Sequence, residues 1–395
     1  MKGVWGAALP GTDRPPRIAM ACVGIGLVQR GYERLFSDLF QLMQDDFDLT
    51  LFKGGGPRRE NEKVLHFTHR NGRLVKILPV HKLFGRTPYH TECMTFALAM
   101  LPHLRNGAFD IVHTIDPPLT RLLYRFRARL GLRFKLLYTE GATMPPSNYP
   151  PADYTHEISK VPFDESIAYG HAAETTRLLP PGVYPERFPS PPDRTELRRT
   201  YGIADDTFVI LGVGAINRDH KRVDYIIDEV ANLDGNVLLL LDGSMDHGDP
   251  GLIDYARQRL GERCRISHVA SEKIGELYHL ADVMVHAAPY EAFGLAMVEA
   301  SACGLPVITH NAPHFQWLFP KPACWIDMLR PGALAAKLAL MISDPAEYAA
   351  ARCFEITLQR FSWHQLRSSY ADLYRHVAAM TLRPVPEADC RKAAA

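Results

Sequence analysis

The chain has 395 residues, 47% of them hydrophobic and 23% charged, which is long enough for two globular domains with full cores. Its 45 Lys and Arg residues nearly balance its 44 Asp and Glu residues, so the overall charge gives no support to nucleic-acid binding. Seven dispersed cysteines without a C-x-x-C pair argue against a disulfide scaffold or a cysteine metal site and favour a reducing compartment.

The amino-terminal residues predict neither a signal peptide nor a membrane span. Residues 1–17 are rich in Gly and Pro, and the apolar run at 18–28 is too short to cross a bilayer and is typical of a buried strand. A cytoplasmic protein is therefore expected.

Short apolar runs alternate with longer amphipathic runs in the first half, a pattern typical of repeated β-α units. The predicted strands are residues 17–23, 49–52, 73–78, 111–113 and 135–138. The predicted helices are residues 32–44, 89–104 and 119–130.

The segment 179–192 contains six prolines, which block a helix and predict an extended linker with a domain boundary near residue 188. The β-α pattern then begins again. The strands predicted there are residues 208–213, 236–241, 265–268, 283–287 and 306–309, and the helices are 223–232, 251–260, 274–280 and 295–303.

These elements predict an α/β protein with two Rossmann-like, doubly wound parallel-sheet domains that face a central cleft. The expected limits are 1–188 for the first domain and 189–362 for the second. A last helix at 363–380, within a segment 363–382 that is expected to pack back toward the first domain, precedes a tail at 383–395 that is predicted to be disordered.

The most informative motif is Glu291-Ala-Phe-Gly-Leu-Ala-Met-Val-Glu299, which follows the strand at 283–287. If Gly294 opens the helix, the backbone N–H groups of Phe293, Gly294 and Leu295 are donors that favour an anionic or hydroxyl-rich ligand. One carboxylate can then reach sugar hydroxyls and the other a ribose diol. The alternative is that Glu291 caps the helix and Glu299 is merely solvated.

A second motif, Val213-Gly-Ala-Ile-Asn-Arg218-Asp-His-Lys221, lies between a predicted strand and a predicted helix. Arg218 and Lys221 can hold a diphosphate as fixed positive charges. A charged surface loop is the alternative. Near the amino terminus, Gly24, Gly26 and Gly31 allow either a close approach by a ligand or a simple tight turn.

Together these motifs resemble the retaining glycosyltransferases of the GT-B fold, specifically glycosyltransferase family 4. The resemblance covers most of the chain, and its most specific element is the Glu-x7-Glu motif. It implies that Glu291 contacts the donor sugar and Glu299 the nucleotide ribose, with backbone donors at residues 293–295. It also implies that Lys221 binds the diphosphate and that the backbone near Val269 and Ala270 recognises the base.

In the first domain, Gly31 matches the second glycine of the family's Gly-Gly-x-Glu loop, and Arg30 stands where a glycine is usual. Glu140 stands at the family's histidine position, which implies a different polar contact to the donor sugar. Ala215 follows Gly214 where a basic residue is common, so that role falls to Arg218 or to no residue.

The resemblance further implies transfer of a hexose-like unit from a nucleotide diphosphate sugar, with retention of configuration and without a metal or cofactor. The expected acceptor is a glycan, a lipid-linked sugar or a small molecule. Two alternatives stay open: an epimerase of a nucleotide sugar with the same fold, and a weakly active module that binds sugar nucleotides.

The predicted helix at 119–135 carries six basic residues and no acidic one, namely Arg121, Arg125, Arg127, Arg129, Arg133 and Lys135. Such a helix can dock on an anionic membrane, which would suit a lipid-linked acceptor and a peripheral location at the inner face of the membrane. The alternative is a solvated helix with its other face in the core.

Overall fold

The structure is a computed structural model that describes residues 14–28, 30–70, 72, 87–244 and 251–382. The chain divides into two compact units. The first unit extends to Pro180 and includes the chain again from Leu366 onward, whereas the second unit extends from Pro181 to Gln365.

In the described part of the first unit, seven parallel strands form one sheet in the order β3-β2-β1-β4-β5-β6-β7. The strands are β1 Arg17–Cys22, β2 Asp48–Lys53, β3 Glu62–Val64, β4 Ile111–Thr114, β5 Lys135–Glu140, β6 Tyr154–Glu157 and β7 Thr176–Leu178. From β1 the chain adds β2 and β3 on one side of the sheet. It then returns and adds β4 and the following strands on the other side of β1. The crevice beyond the carboxyl ends of β1 and β4 is therefore a topological switch point, where α/β sheets usually bind ligands.

The described part of the second unit repeats this arrangement with six parallel strands in the order β10-β9-β8-β11-β12-β13. The strands are β8 Phe208–Val213, β9 Val237–Asp242, β10 Cys264–Ser267, β11 Val283–His286, β12 Val307–His310 and β13 Trp325–Ile326. Its switch point lies between β8 and β11.

Helices connect the strands of both sheets, as parallel pairing requires. The first unit contains α1 Gly31–Met43, α2 Pro88–Gly107, α3 Pro117–Leu130 and α4 Lys160–Tyr169. The second contains α5 Arg194–Thr200, α6 Val223–Ala231, α7 Gly251–Leu260, α8 Ile274–Leu280, α9 Leu295–Ala302, α10 Pro313–Leu318, α11 Ala333–Ser343, α12 Pro345–Ala350 and α13 Phe354–Phe361. A last helix, α14 Trp363–Ala379, begins in the second unit and continues in the first.

The central strands form the cores of the two units. In β1 and β4 the apolar side chains of Ala19, Met20 and Val112 are fully buried, and in β8 and β11 so are those of Ile210 and Met284. Strands that are covered on both faces read as continuous apolar runs, which is why the sequence predicts them without an alternating pattern.

The predicted two-domain parallel α/β fold is confirmed, and the predicted strands and helices within the described residues are present with small shifts at their ends. The strand predicted at 73–78 and the tail at 383–395 lie outside the described residues. The sequence analysis missed the short strands β3, β6, β7 and β13, because each is at or near a sheet edge and is short or carries polar residues.

The proline-rich segment after β7 is tied to the second unit. The Val183 N–H donates to the Phe361 carbonyl at 2.7 Å, and the Trp363 N–H donates to the Val183 carbonyl at 3.1 Å. Gly182 lies against the Trp363 ring, where a Cβ atom would come within 2.4 Å of the ring. The predicted boundary at residue 188 consequently falls inside the second unit.

The basic stretch 119–135 is not one helix, because α3 ends at Leu130 and Lys135 opens β5. Arg127 is buried and forms an ion pair with Asp153, and Lys135 donates to the Ala378 carbonyl at 2.7 Å. Fewer charges face solvent than the sequence suggests, with Arg125, Arg129 and Arg133 exposed. No helix in the described part of the chain is long and apolar enough to cross a membrane.

Candidate active site

Two of the residues predicted to bind a nucleotide sugar, Lys221 and Glu291, meet at the switch point of the second sheet. The loop after β8 carries Lys221, and the loop after β11 carries Glu291. These loops leave neighbouring parallel strands in opposite directions, so they border the same crevice. Gly212, Gly214, Ile216, Lys221, Val285 and Ala287 line a small cavity there.

Lys221 and Glu291 form an ion pair between Nζ and Oε1. Asn217 fixes the loop that presents Lys221, because its Oδ1 accepts the N–H groups of His220 at 3.1 Å and Lys221 at 2.8 Å. Gly214 lies beside the Lys221 side chain and has a φ of 140°, a left-handed conformation that favours glycine. The two charged residues of the sequence motifs are thus brought into direct contact.

His286, at the end of β11, is a part of this cluster that sequence reasoning missed. Its Nε2 lies 2.8 Å from Oε1 of Glu291. Burial lowers the pKa of His286, so the neutral ring donates its Nε2 proton to the carboxylate. The sequence did contain a signal for His286, because this residue is the polar end of the otherwise apolar strand Val283–His286.

Glu291 is held as a carboxylate. Burial by itself raises its pKa, but the hydrogen bond from His286 and the charge of Lys221 outweigh burial and hold the pKa well below its usual range. His220 links the two loops further, since its Nε2 lies 2.8 Å from the Tyr290 carbonyl oxygen and the two rings are 4.8 Å apart. This geometry favours a permanent anion whose role is to hold a ligand rather than to exchange protons.

The helix α9 begins as the sequence predicts. Gly294 precedes it with φ of 94° and ψ of 53°, a left-handed conformation that favours glycine. Among the described residues, the N–H groups of Phe293, Gly294 and Leu295 have no hydrogen-bond acceptor. The Phe293 carbonyl oxygen accepts a hydrogen bond from Nε2 of His314 at 3.0 Å, which holds the turn before α9 in place. Three backbone donors are therefore available to a ligand at the start of α9.

Glu299 lies inside α9 and is 5% exposed. One of its carboxylate oxygens, Oε2, accepts from the Tyr278 hydroxyl at 2.9 Å. Tyr278, itself buried, belongs to α8 and packs its ring edge-on to Phe188. Glu299 is therefore a positioned carboxylate and not a solvated one.

The remaining predicted residues of this unit have other contacts. Arg218 stacks over the Tyr255 ring at 4.8 Å and has its Nη1 3.8 Å from Oδ2 of Asp224. The Val269 N–H donates to Asp242 at 2.8 Å, and the Ala270 carbonyl accepts from the Lys273 N–H at 2.8 Å. These backbone groups are already used, so the predicted base contacts would have to come from the other groups of residues 269 and 270.

In the first unit, Gly31 begins α1 and Glu140 ends β5. Glu140 is buried, and it accepts from the Tyr138 hydroxyl at 2.6 Å and the Ala142 N–H at 2.5 Å. Of the early glycines, Gly26 packs on Gly55, where a Cβ would come within 2.1 Å of the Gly55 carbonyl oxygen. The structure thus shows a packing reason for Gly26, and it leaves the ligand roles of Gly31 and Glu140 as predictions.

In the part of the chain that the structure describes, no group of three or more His, Cys, Asp or Glu side chains is arranged to hold a metal ion. The prediction of a metal-independent reaction stays a prediction.

Comparison with known proteins finds a match for most of the second unit. Residues 193–353 match the protein family described as Glycosyl transferases group 1. The matched region includes Lys221, Glu291 and Glu299, so the candidate site lies within it.

Two relatives show how far the similarity of sequence extends. The D-inositol 3-phosphate glycosyltransferase of Geodermatophilus obscurus is 30% identical over 251 residues, which cover 55% of this chain and 52% of the relative. The lipopolysaccharide glucosyltransferase WaaG of Escherichia coli K12 is 32% identical over 228 residues, which cover 55% and 56%. The chain thus spans about half the length of these relatives.

Solved structures with a similar fold cover nearly the whole chain. The sucrose-phosphate synthase of Thermosynechococcus elongatus has a TM-score of 0.74 at 20% identity and covers 93% of this chain and all of its own. HepE of Anabaena, in complex with UDP-glucose, has a TM-score of 0.68 at 18% identity and covers 90% and 98%. The chain therefore has the two-domain GT-B fold.

Proposed function

We propose that this protein is a retaining glycosyltransferase of family 4 that moves a hexose-like unit from a nucleotide diphosphate sugar to a sugar or lipid-linked acceptor. The observation that carries the proposal is the meeting of Lys221, Glu291 and three backbone N–H donors at one switch point. The match of residues 193–353 to the family Glycosyl transferases group 1 supports the reaction class. The UDP-glucose in HepE and the name of the glucosyltransferase WaaG support a nucleotide hexose as the donor.

Lys221 and the start of α9 stabilise the leaving diphosphate. As the bond between the anomeric carbon and the phosphate oxygen breaks, negative charge grows on the diphosphate and positive charge on the sugar ring. The Lys221 ammonium and the N–H groups of Gly294 and Leu295 are fixed donors for the growing negative charge. Without a ligand, the Lys221 ammonium pairs with the Glu291 carboxylate. When a diphosphate binds, the ammonium interacts with the diphosphate as well as with Glu291.

The carboxylates hold the donor and form no bond to it. Glu291, kept ionised by Lys221 and His286, accepts hydrogen bonds from sugar hydroxyls. Glu299, positioned by Tyr278, accepts from the ribose diol. The acceptor hydroxyl attacks on the face from which the diphosphate leaves, and its proton passes to the departing phosphate oxygen. Configuration is thereby retained, and the proposed reaction uses no metal and no cofactor beyond the donor itself.

We place the protein in the cytoplasm, with the exposed guanidinium groups of Arg125, Arg129 and Arg133 as a contact with an anionic membrane surface. This contact would bring a lipid-linked acceptor to the first unit. Flotation with vesicles that contain anionic lipid, compared with neutral vesicles, tests it. Equal recovery with both kinds of vesicle would contradict a charge-driven contact.

The donor is tested first by a thermal-shift screen over UDP, GDP and ADP and their hexose conjugates. The conjugate that raises Tm is then incubated with the protein and the products are analysed. Slow release of the nucleoside diphosphate supports a transferase, an isomerised donor supports an epimerase, and binding without turnover supports a binding module.

The site is tested with Lys221→Ala and Glu299→Ala. We expect both variants to fold and to lose donor binding or turnover, because each removes a charge that the donor requires. Lys337→Ala is the matched control, since Lys337 also pairs with a glutamate, Glu347, in the same unit and lies outside the site. Full activity of both site variants would overturn the assignment.

A further inference from the structure

The sulfur atoms of two cysteines in the second unit are in contact. Sγ of Cys324 lies 3.5 Å from Sγ of Cys353, although 29 residues separate the two in the sequence. Cys324 ends the turn Pro322–Cys324 that precedes β13, and Cys353 is the residue before α13. The sulfur atoms of a disulfide are about 2.05 Å apart, so a small further approach would join this pair.

Both thiols are buried, but the pair lies close to the surface. Cys324 is fully buried and Cys353 is 3% exposed. Sγ of Cys324 also lies 3.4 Å from the Ala351 carbonyl oxygen, which keeps this thiol next to the start of α13. The residues on either side of Cys353, Arg352 and Phe354, are exposed. A small oxidant such as hydrogen peroxide therefore has a short path to Cys353.

The surroundings of Cys353 favour its thiolate, which is the reactive form of a cysteine. Cys353 stands at the amino-terminal end of α13, where the helix dipole favours a negative charge. The hydrogen bond with the Cys324 thiol lowers the pKa of Cys353 against the effect of burial, and the nearby charges of Lys321 and Arg360 lower it further. Cys353 is therefore the more nucleophilic thiol of the pair.

The other cysteines that the structure describes lack this combination. Burial raises the pKa of four of them, which are Cys22, Cys93, Cys264 and Cys303. The hydrogen bond with Cys353 raises the pKa of the Cys324 thiol above its usual range. The two members of the pair thus differ, since Cys353 ionises more readily and Cys324 stays protonated.

We propose that Cys353 and Cys324 are an oxidative modification site for hydroperoxides, in which Cys353 is the nucleophile and Cys324 the resolving thiol. The Cys353 thiolate attacks one oxygen of hydrogen peroxide, so that an S–O bond forms and the O–O bond breaks. Hydroxide leaves and takes up the proton that Cys353 had released. Sγ of Cys324 then attacks the sulfur of the Cys353 sulfenic acid, the S–S bond forms, and hydroxide leaves with the proton of the Cys324 thiol. Two thiols are oxidised to one disulfide, and the peroxide is reduced to two molecules of water.

The disulfide closes a loop that contains β13, α11 and α12. Such a cross-link restricts the unfolded chain and thereby stabilises the folded one. It also fastens the start of α13, which packs against α9 with the hydroxyl oxygens of Thr357 and Ser301 2.8 Å apart. In a reducing compartment the dithiol is the resting form, and the disulfide forms only on exposure to the oxidant.

Mass spectrometry of the full-length protein tests the disulfide. The reduced, folded protein is treated with a small excess of hydrogen peroxide and the reaction is quenched. The remaining thiols are then blocked with N-ethylmaleimide in denaturant and the peptides are analysed. We expect a peptide pair linked through Cys324 and Cys353 that dithiothreitol separates. Recovery of both residues as blocked thiols, or oxidation of Cys353 to a sulfinic acid without the linked pair, would overturn the proposal.

Single substitutions test the separate roles of the two thiols. In Cys324→Ser the sulfenic acid of Cys353 cannot be resolved, so we expect dimedone to trap it. In Cys353→Ser we expect no oxidation of Cys324. Cys303→Ser is the matched control, because it removes a free thiol of the same unit whose pKa burial raises, and it should form the disulfide as the wild type does. Dimedone labelling of Cys324 in Cys353→Ser, with none of Cys353 in Cys324→Ser, would overturn the assignment of the nucleophile. If either variant fails to fold, the linked peptide of the wild type still decides the proposal.

Thermal unfolding tests whether the disulfide stabilises the fold. We expect the oxidised wild type to unfold several degrees above the reduced protein and dithiothreitol to reverse this shift. Cys303→Ser should show the same shift and Cys324→Ser none. A linked peptide in a protein whose Tm is unchanged or lowered would overturn the stabilising role of the disulfide. None of these measurements requires the sugar donor, so their outcome is independent of the proposed function.

Discussion

Glu291 is the residue on which the donor site depends most directly. It receives a hydrogen bond from His286 and an ion pair from Lys221, and its pKa lies well below the usual range. The carboxylate is therefore ionised throughout the physiological range, and its stabilising contribution is lost only in strong acid, below the ordinary pKa of a glutamate. A residue of this kind serves as a fixed acceptor for hydroxyl groups and not as a proton carrier.

We predict that Glu291→Gln lowers kcat/KM by about 10- to 100-fold, because charge-assisted hydrogen bonds contribute about 1.5–3 kcal/mol and each 1.4 kcal/mol is tenfold. Steady-state kinetics with the donor identified by thermal shift measures the loss. Glu347→Gln, which breaks the Lys337–Glu347 pair, is the matched control and should keep wild-type kinetics. A Glu291→Gln enzyme with unchanged kcat/KM would show that the carboxylate has no part in donor binding.

At the scale of elements, the sequence predicts β8, β11 and α9 well, because buried parallel strands are continuous apolar runs and Gly294 marks the start of a helix. It also predicts Glu291, Glu299 and Lys221 as the charged residues of the site. The contact between Lys221 and Glu291 depends on strand order, since β8 and β11 are neighbours although 70 residues separate the two side chains in the chain. Strand order depends on how the whole sheet packs, so it cannot be predicted from either motif.

A substitution of Gly294 tests whether the start of α9 binds the donor, because the left-handed backbone of Gly294 sets the direction of the first N–H groups of the helix. We predict that Gly294→Ala costs about 1–3 kcal/mol of stability from backbone strain. Its Cβ would also have to displace the Met297 methyl group, which lies 2.1 Å from the Cβ position. The substitution should also weaken donor binding, since the strain tilts the donors of Gly294 and Leu295. Thermal unfolding and donor titration measure the two effects separately.

Gly332→Ala is the matched control for this substitution. Gly332 stands in the same position before α11 with φ of 80°, and a Cβ there meets no atom within 4 Å. The control should lose stability by strain and retain donor affinity. Equal donor affinity in both variants would contradict the role of the α9 start.

At the scale of the whole molecule, the first unit includes most of α14, which follows the second unit in the sequence. A buried chain of hydrogen bonds links this helix to the sheet. The Tyr374 hydroxyl lies 2.9 Å from Nδ1 of His113, and Nε2 of His113 lies 2.6 Å from Oγ1 of Thr139. The same Oγ1 lies 2.8 Å from Nδ1 of His156, whose Nε2 donates to the Leu179 carbonyl at 2.8 Å.

The sequence could not predict this network, because β6 reads Tyr-Thr-His-Glu and lacks the apolar run that marks the central strands. Its polar residues are satisfied only by partners on β5, β7 and α14, which lie far away in sequence. These hydrogen bonds can all donate in the same direction, from Tyr374 toward the Leu179 carbonyl, if both histidines are neutral and not otherwise. Burial lowers the pKa of His113 and lowers that of His156 to about 4, in agreement with that arrangement.

We predict that acid weakens the first unit through His156. The unfolded histidine binds a proton near pH 6.5 and the folded one only near pH 4, so wild-type stability falls as pH drops between these values. Glutamine can accept from Thr139 and donate to the Leu179 carbonyl but does not titrate. The stability of the wild type relative to His156→Gln should therefore fall by about 2 kcal/mol from pH 7 to pH 4.5. Denaturant unfolding of the protein at the two pH values measures this double difference, in which the other titrating groups largely cancel. His376→Gln, an exposed substitution on α14, should leave the double difference near zero, and a pH-independent gap between wild type and His156→Gln would contradict a neutral, buried His156.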